Sequence, residues 1–264
     1  MLNEILHLQQ HQQRWVRRFE PRPLARQRLF CLAHAGGGAR FFADWARLLP
    51  PSIEVIAVQL PGREERINEP LIPHMQALVN ALMAAVPAWL DRPYALFGHS
   101  MGAAVAHELC LALQRQALRL PTCLMVSGRE GPERHHGGSL HLADDARLLA
   151  DIAALGGSPK ALQTSPELQA MALPILRNDY QLIETYRPAP ERARLNVPIE
   201  VLVGRDDREL NPGDAEAWAQ ETREGLQVHR FEGGHFYLVP QREAVLRCVS
   251  RCLGVSHSQA LEMP

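Results

Sequence analysis

One pentapeptide constrains this chain more than any other feature: Gly98-His99-Ser100-Met101-Gly102. It fits the pattern G-x-S-x-G, directly after the apolar run Tyr94–Phe97 and directly before an alanine-rich helical segment. A strand that turns sharply into a helix leaves no room for side chains two residues before and two residues after the serine. Glycine meets that demand at positions 98 and 102. The Ser100 hydroxyl is then held out at the carboxyl end of a sheet, which predicts a nucleophile.

The surrounding sequence supplies such a sheet. Short apolar runs at Leu29–Ala33, Ile53–Leu60, Tyr94–Phe97, Thr122–Ser127, Ile199–Val203 and Gln227–Phe231 have the length of buried parallel strands. Helical patterns at Phe42–Leu49, His74–Leu90, Met101–Gln116, Gly213–Glu221 and Glu243–Leu253 alternate with them. This order predicts an α/β fold, a mostly parallel sheet flanked by helices. The alternation breaks between residues 134 and 197, where Asp144–Leu155, Ser165–Arg177 and Asn178–Tyr186 read as helices interrupted at Gly156-Gly157 and Pro174. That block is expected to be a helical lid inserted into a single domain spanning residues 1–264. Leu142, Leu148, Leu149, Ile152, Leu173 and Leu176 are its candidate chamber walls. The two ends, Met1–Glu20 and Ser256–Pro264, read as weakly structured.

A serine needs a base, and the base needs an orienting acid. In this chain order the acid follows a late strand and the histidine follows the last one. Gly204-Arg205-Asp206-Asp207 trails the run Ile199–Val203, and Asp207, three residues after the glycine, is the expected acid, with Asp206 the close alternative. Gly233-Gly234-His235 trails the last strand-like run, so His235 is the expected base. His229 falls inside that run and His257 lies in the tail. The oxyanion of the tetrahedral intermediate needs two N–H donors. Met101 supplies one. The loop His34-Ala35-Gly36-Gly37-Gly38 supplies the other, with Ala35 preferred and Gly36 next. That loop lacks the G-K-[ST] ending and the G-x-G-x-x-G spacing of phosphate-binding loops.

Composition excludes several other classes. The 28 basic and 29 acidic residues give a net charge of −1, so nothing suggests a nucleic-acid or anionic-membrane partner. No run approaches the ~20 apolar residues of a membrane span, and the N-terminus lacks a signal-peptide core. A cytoplasmic protein is expected. Cys31, Cys110, Cys123, Cys248 and Cys252 are odd in number and read as reduced, buried thiols. Cys248 and Cys252 would share a helix face, but a metal centre needs further ligands that sequence spacing does not supply. No metal or organic cofactor is expected.

Four segments together resemble one family: Ala33-His34-Ala35-Gly36-Gly37, Gln59-Leu60-Pro61-Gly62-Arg63-Glu64, Gly98-His99-Ser100-Met101-Gly102-Ala103 and Gly233-Gly234-His235-Phe236-Tyr237-Leu238. The set is similar to the type II thioesterases, stand-alone enzymes of the α/β-hydrolase fold that accompany nonribosomal peptide and polyketide synthases. Ser127-Gly128-Arg129 and Asn178-Asp179-Tyr180 add to the likeness, which runs from Leu29 to Leu253. Departures are small: Ala33 stands where proline is usual, and Glu130-Gly131 replaces a basic residue and alanine. The resemblance implies hydrolysis of acyl or aminoacyl thioesters from the phosphopantetheine arm of an acyl or peptidyl carrier protein; a monomer is expected. Arg63 and Arg129 are the first candidates to meet an acidic carrier surface, with structural salt bridges at loop ends an equal alternative for each. A fatty-acid synthesis thioesterase or a general carboxylesterase of the same fold is the alternative.

Overall fold

A computed structural model describes residues 12–157 and 160–255 of the chain. Its centre is a seven-stranded sheet: β1 (Val16–Arg17), β2 (Gln27–Leu32), β3 (Ile53–Val58), β4 (Tyr94–His99), β5 (Leu124–Ser127), β6 (Ile199–Gly204) and β7 (Leu226–Phe231), in the order β1-β3-β2-β4-β5-β6-β7. Every pairing is parallel except β1 with β3. The first strand is a departure from the sequence reading, which left it in a loose N-terminus. Two residues carry too little pattern to register as a strand, yet Val16 pairs with Val58, and Trp15 is buried beneath the Arg66 guanidinium, 4.1 Å from its ring centre. The stretches 1–11 and 256–264, with His257, lie outside the described residues.

Alternation along the strands explains why helices cover both faces. On β4, Tyr94 and Leu96 point to one cluster and Ala95 and Phe97 to the other. Helices α2 (Met75–Ala85) and α3 (Met101–Arg115) close the first face; α1 (Ala43–Leu48) and α7 (Arg242–Cys252) close the second. A strand buried on both faces reads as a continuous apolar run, which is how it showed in the sequence.

Between β5 and β6 the described chain forms no strand. It builds α4 (Asp145–Leu155), α5 (Lys160–Thr164) and α6 (Pro166–Thr185). Asp144 caps α4 by accepting from Arg147 N at 2.8 Å, and Gly156, with φ of 82°, ends it in the left-handed region. The sequence suggested two helices broken near Pro174; the structure shows one helix running through it. Pro174 is exposed, and the turns after it are anchored by buried Asn178, Asp179, Leu182 and Ile183. Where Gly213–Glu221 was expected as a helix, only a 3-10 segment at Glu216–Glu221 forms. No helix of the described residues is long and apolar enough to cross a membrane.

Candidate active site

The turn after β4 holds Ser100 at φ 54° and ψ −118°, a conformation a non-glycine residue adopts only under constraint. The neighbours enforce it. A Cβ on Gly98 would stand 2.1 Å from Gly102 O, and one on Gly102 would stand 2.3 Å from Leu32 O. Ser100 N donates to Ser127 O at 2.8 Å, tying the turn to β5.

Acid and base meet through a second pair of close loops. Arg205 N donates to Phe231 O at 2.8 Å and Asp206 N to Gly233 O at 3.0 Å. A Cβ on Gly204 would fall 2.4 Å from Gly233 O, so the residue that marked the acid loop in the sequence also lets it lie against the base loop. His235 Nδ1 lies 3.0 and 3.1 Å from the two Asp207 carboxylate oxygens, and both side chains are buried. Asp207 also accepts from Glu209 N at 3.0 Å. Asp206 is exposed and does not meet the histidine. With Nδ1 on the carboxylate, Nε2 is the nitrogen left to receive a proton.

Ser100, His235, Ala35 and Met101 line one cavity of about 190 Å³. Among the described residues, neither Ala35 N–H nor Met101 N–H has an acceptor within the protein. Gly36, the alternative donor, is engaged: its N–H donates to Asp179 Oδ2 at 2.8 Å. A second, smaller chamber of about 100 Å³ opens from the same serine, with Ile152, Leu155, Leu162, Leu176 and Phe236 on its walls. Of the six wall candidates from the sequence, Ile152 and Leu176 face it. Leu148 is buried without reaching it, and Leu142 is 76% exposed. Leu149 and Leu173 do not line it either.

Three features escaped the sequence reading. The first is the partner of Arg63, for which carrier contact and a structural salt bridge were both open. Arg63 is 4% exposed, and its guanidinium makes two hydrogen bonds to Asp179 at 2.6 and 2.9 Å and one to Gly37 O at 3.0 Å. This clamp joins the oxyanion loop to α6; the segments holding Arg63 and Asp179 were both singled out in the sequence, but nothing there paired them. Arg129 is likewise drawn inward: it lies 3.0 Å from Glu130 and 2.6 Å from His135 Nδ1, on the cavity wall. The second feature is a set of neutral imidazoles around the base. His34 is held down at about 4 by burial first and by the nearby His235 second. His99 is pushed well below its usual range by the same causes in the same order. Their ring centres lie 5.9 Å apart, and that of His99 is 5.0 Å from His235. Of the three, only His235 has a carboxylate on its ring. The third is Gly157, where a Cβ would stand 2.1 Å from the Phe236 ring, beside the base.

A strained serine after the fourth strand, a carboxylate-held histidine after the last, and free N–H groups in one cavity define a serine hydrolase of the α/β-hydrolase class. Comparison with known proteins narrows this. The thioesterase domain model matches residues 27–253, so the chain belongs to the thioesterase family and is a hydrolase of thioesters. It is 40% identical to the type II thioesterase BorB from the borrelidin biosynthetic cluster, with a TM-score of 0.84, covering 90% of this chain and 97% of that one. It is 29% identical to YbtT, a type II thioesterase from the yersiniabactin NRPS/PKS pathway, with a TM-score of 0.77 over 94% and 100% of the two chains. Over 240 residues it is 36% identical to the probable cadicidin biosynthesis thioesterase of Streptomyces griseus, spanning 91% of this chain and 66% of that relative. The type II thioesterase resemblance read from the sequence is thus shown.

Proposed function

We propose that this chain removes acyl or aminoacyl groups from the phosphopantetheine arms of carrier proteins in a nonribosomal peptide or polyketide synthase, using Ser100, His235 and Asp207. The observation that carries the reading is the shared cavity: nucleophile, carboxylate-held base and two unused N–H donors converge there. His235 Nε2 takes the Ser100 proton as Oγ bonds to the thioester carbonyl carbon. The carbonyl oxygen becomes an oxyanion facing Ala35 N–H and Met101 N–H. The C–S bond breaks, and the proton on His235 passes to the departing pantetheine sulfur. Water, deprotonated by the same imidazole, then attacks the acyl-enzyme, and the acid and free Ser100 result. Asp207 holds the imidazolium at each stage. Nothing in this sequence of steps calls for a metal or organic cofactor.

The proposed setting is the cytoplasm, where the enzyme works as a monomer. The long, thin arm suits entry between α6 and the sheet edge. Carrier contacts away from the reacting bond would raise turnover as well as affinity. Since Arg63 and Arg129 are tied up within the protein, those contacts fall to other residues.

The test compares kcat/KM for one acyl group on a carrier protein and on a short pantetheine mimic, with Ser100→Ala as the blank. The expected result is faster hydrolysis from the carrier, and a loss of about 10⁴-fold or more in the variant. Equal rates on both, or preference for oxygen esters, would point to a generalist esterase. A best rate on medium-length fatty acyl groups would point to the fatty-acid alternative.

A further inference from the structure

Three side chains of metal-ligand type meet outside the cavities that Ser100 lines. His229 comes from β7, while Cys248 and Cys252 come from one face of α7, four residues apart. A ring nitrogen of His229 and the two sulfurs lie within 4.8 Å of one another. Among the described residues this is the one such group of three or more that converges. Both cysteines are free thiols. At Cys252 the cluster reaches the amino ends of the strands: Cys252 O is 4.0 Å from the sulfur of Cys123, the residue just before β5. Ser100 and His235 occupy the opposite, carboxyl edge.

A fourth residue orders the group. Glu200 on β6 places Oε2 2.6 Å from His229 Nε2. A carboxylate on an imidazole fixes its tautomer and tilt, and this is the usual support behind a histidine that binds a metal. The sequence placed His229 within a strand, as the structure does, but spacing along the chain could not show that it meets Cys248 and Cys252. The β6–β7 pairing sets Leu202 opposite His229 and so brings Glu200 within reach, while α7 lies across the sheet face beneath.

We propose that His229, Cys248 and Cys252 bind one Zn²⁺ ion, with Glu200 orienting His229 and water as the fourth ligand. Two sulfurs and an imidazole are a soft donor set that favours zinc over magnesium or calcium. Tetrahedral zinc with bonds of about 2.3 Å to sulfur sets the sulfurs about 3.8 Å apart, a spacing that small side-chain rotations reach from the present one. Binding converts two thiols to thiolates and releases two protons; the imidazole binds neutral. Cys248 is buried, but His229 and Cys252 are half-buried, so the cluster is reachable from the surface. The ligands bracket the loop that carries His235: His229 precedes it and Cys248 follows it. The ion would be a staple on both ends of that loop, without touching substrate.

The test uses the full-length, tag-free chain, kept reduced with a phosphine, stripped with a chelator and titrated with Co²⁺ and then with Zn²⁺ alone. One Co²⁺ per chain should bind with the intense visible bands of a tetrahedral ion and with sulfur-to-cobalt charge-transfer absorption, and one equivalent of Zn²⁺ should bleach both. Cys252→Ser and His229→Gln should each weaken binding by more than the ~10- to 100-fold expected of Glu200→Gln. Zn²⁺ should also raise the thermal midpoint of the parent and not that of Cys252→Ser. No cobalt binding, a pale spectrum without the charge-transfer band, unchanged affinity in Cys252→Ser, or equal thermal shifts in both proteins would each overturn the proposal.

Discussion

Helices α3 and α4 make opposite uses of a similar apolar content. In α3, directly behind Ser100, twelve of fifteen residues are buried. In α4, on the segment over the active site, one residue of eleven is buried, Leu148. The first helix is wedged between strands and neighbours, so each position is dictated and the serine cannot drift. The second is held by few contacts beyond its own caps, and its inward side chains face a chamber instead of a core. Precision sits on the sheet, and adaptability on the helices above it.

Four expected outcomes bear on that division. The largest effect belongs to the sheet edge. Asp207→Asn should lower turnover by about 10⁴-fold, since the imidazole loses its orienting anion, while exposed Asp206→Asn should leave steady-state rates close to the parent. If the two ranked the other way, the acid would be misplaced by one residue. Next comes the clamp that couples the two regions. Asp179→Asn leaves the Arg63 charge buried without its partner, which costs about 3–5 kcal/mol in denaturant unfolding. It should also lower kcat more than it changes KM, because Gly36 and the adjacent Ala35 lose their anchor. Wild-type stability in this variant would show that the loop is held by other means.

A paired truncation separates the regions directly. Leu96→Ala, in the fully buried strand β4, should destabilise by about 2–5 kcal/mol and leave acyl preference alone. Ile152→Ala, on the chamber wall, should cost less stability and shift preference toward bulkier acyl groups. Equal destabilisation with no change in preference would mean that the chamber wall is simply core. The gentlest probe is amide hydrogen exchange. Residues 145–155 should exchange faster than β2 and β4 if the segment opens as a unit, and protection matching those strands would make it a static cap.

What could be read from the sequence follows the range of the interactions concerned. Ser100 was legible because its constraint is local, two glycines within two residues. Most of the parallel strands were legible because burial on both faces leaves a largely apolar run, as in β4 and β5. His235 followed from chain order and two glycines. The clamp was not legible: Arg63 and Asp179 are 116 residues apart, and an arginine in a loop looks the same whether it faces solvent or a buried carboxylate. The neighbours of His229 were hidden for the same reason, since they lie on a different strand and a different helix. The short β1 has no periodicity to detect. At Pro174, local propensity argued for a break, and burial of the following turn overrode it.

The Arg63–Asp179 pair has a consequence for anyone recombining these enzymes. A segment exchanged between relatives to alter acyl choice would bring its own residue 179 while leaving the host's residue 63 in place. If the two do not match, the chimera loses a loop hydrogen bond far along the chain from either splice and inherits a buried charge. Its inactivity would then be mistaken for a failure to accept substrate. The smallest unit that can be transplanted is therefore discontinuous: the helices together with the loop from Gln59 to Glu64, cut from one parent.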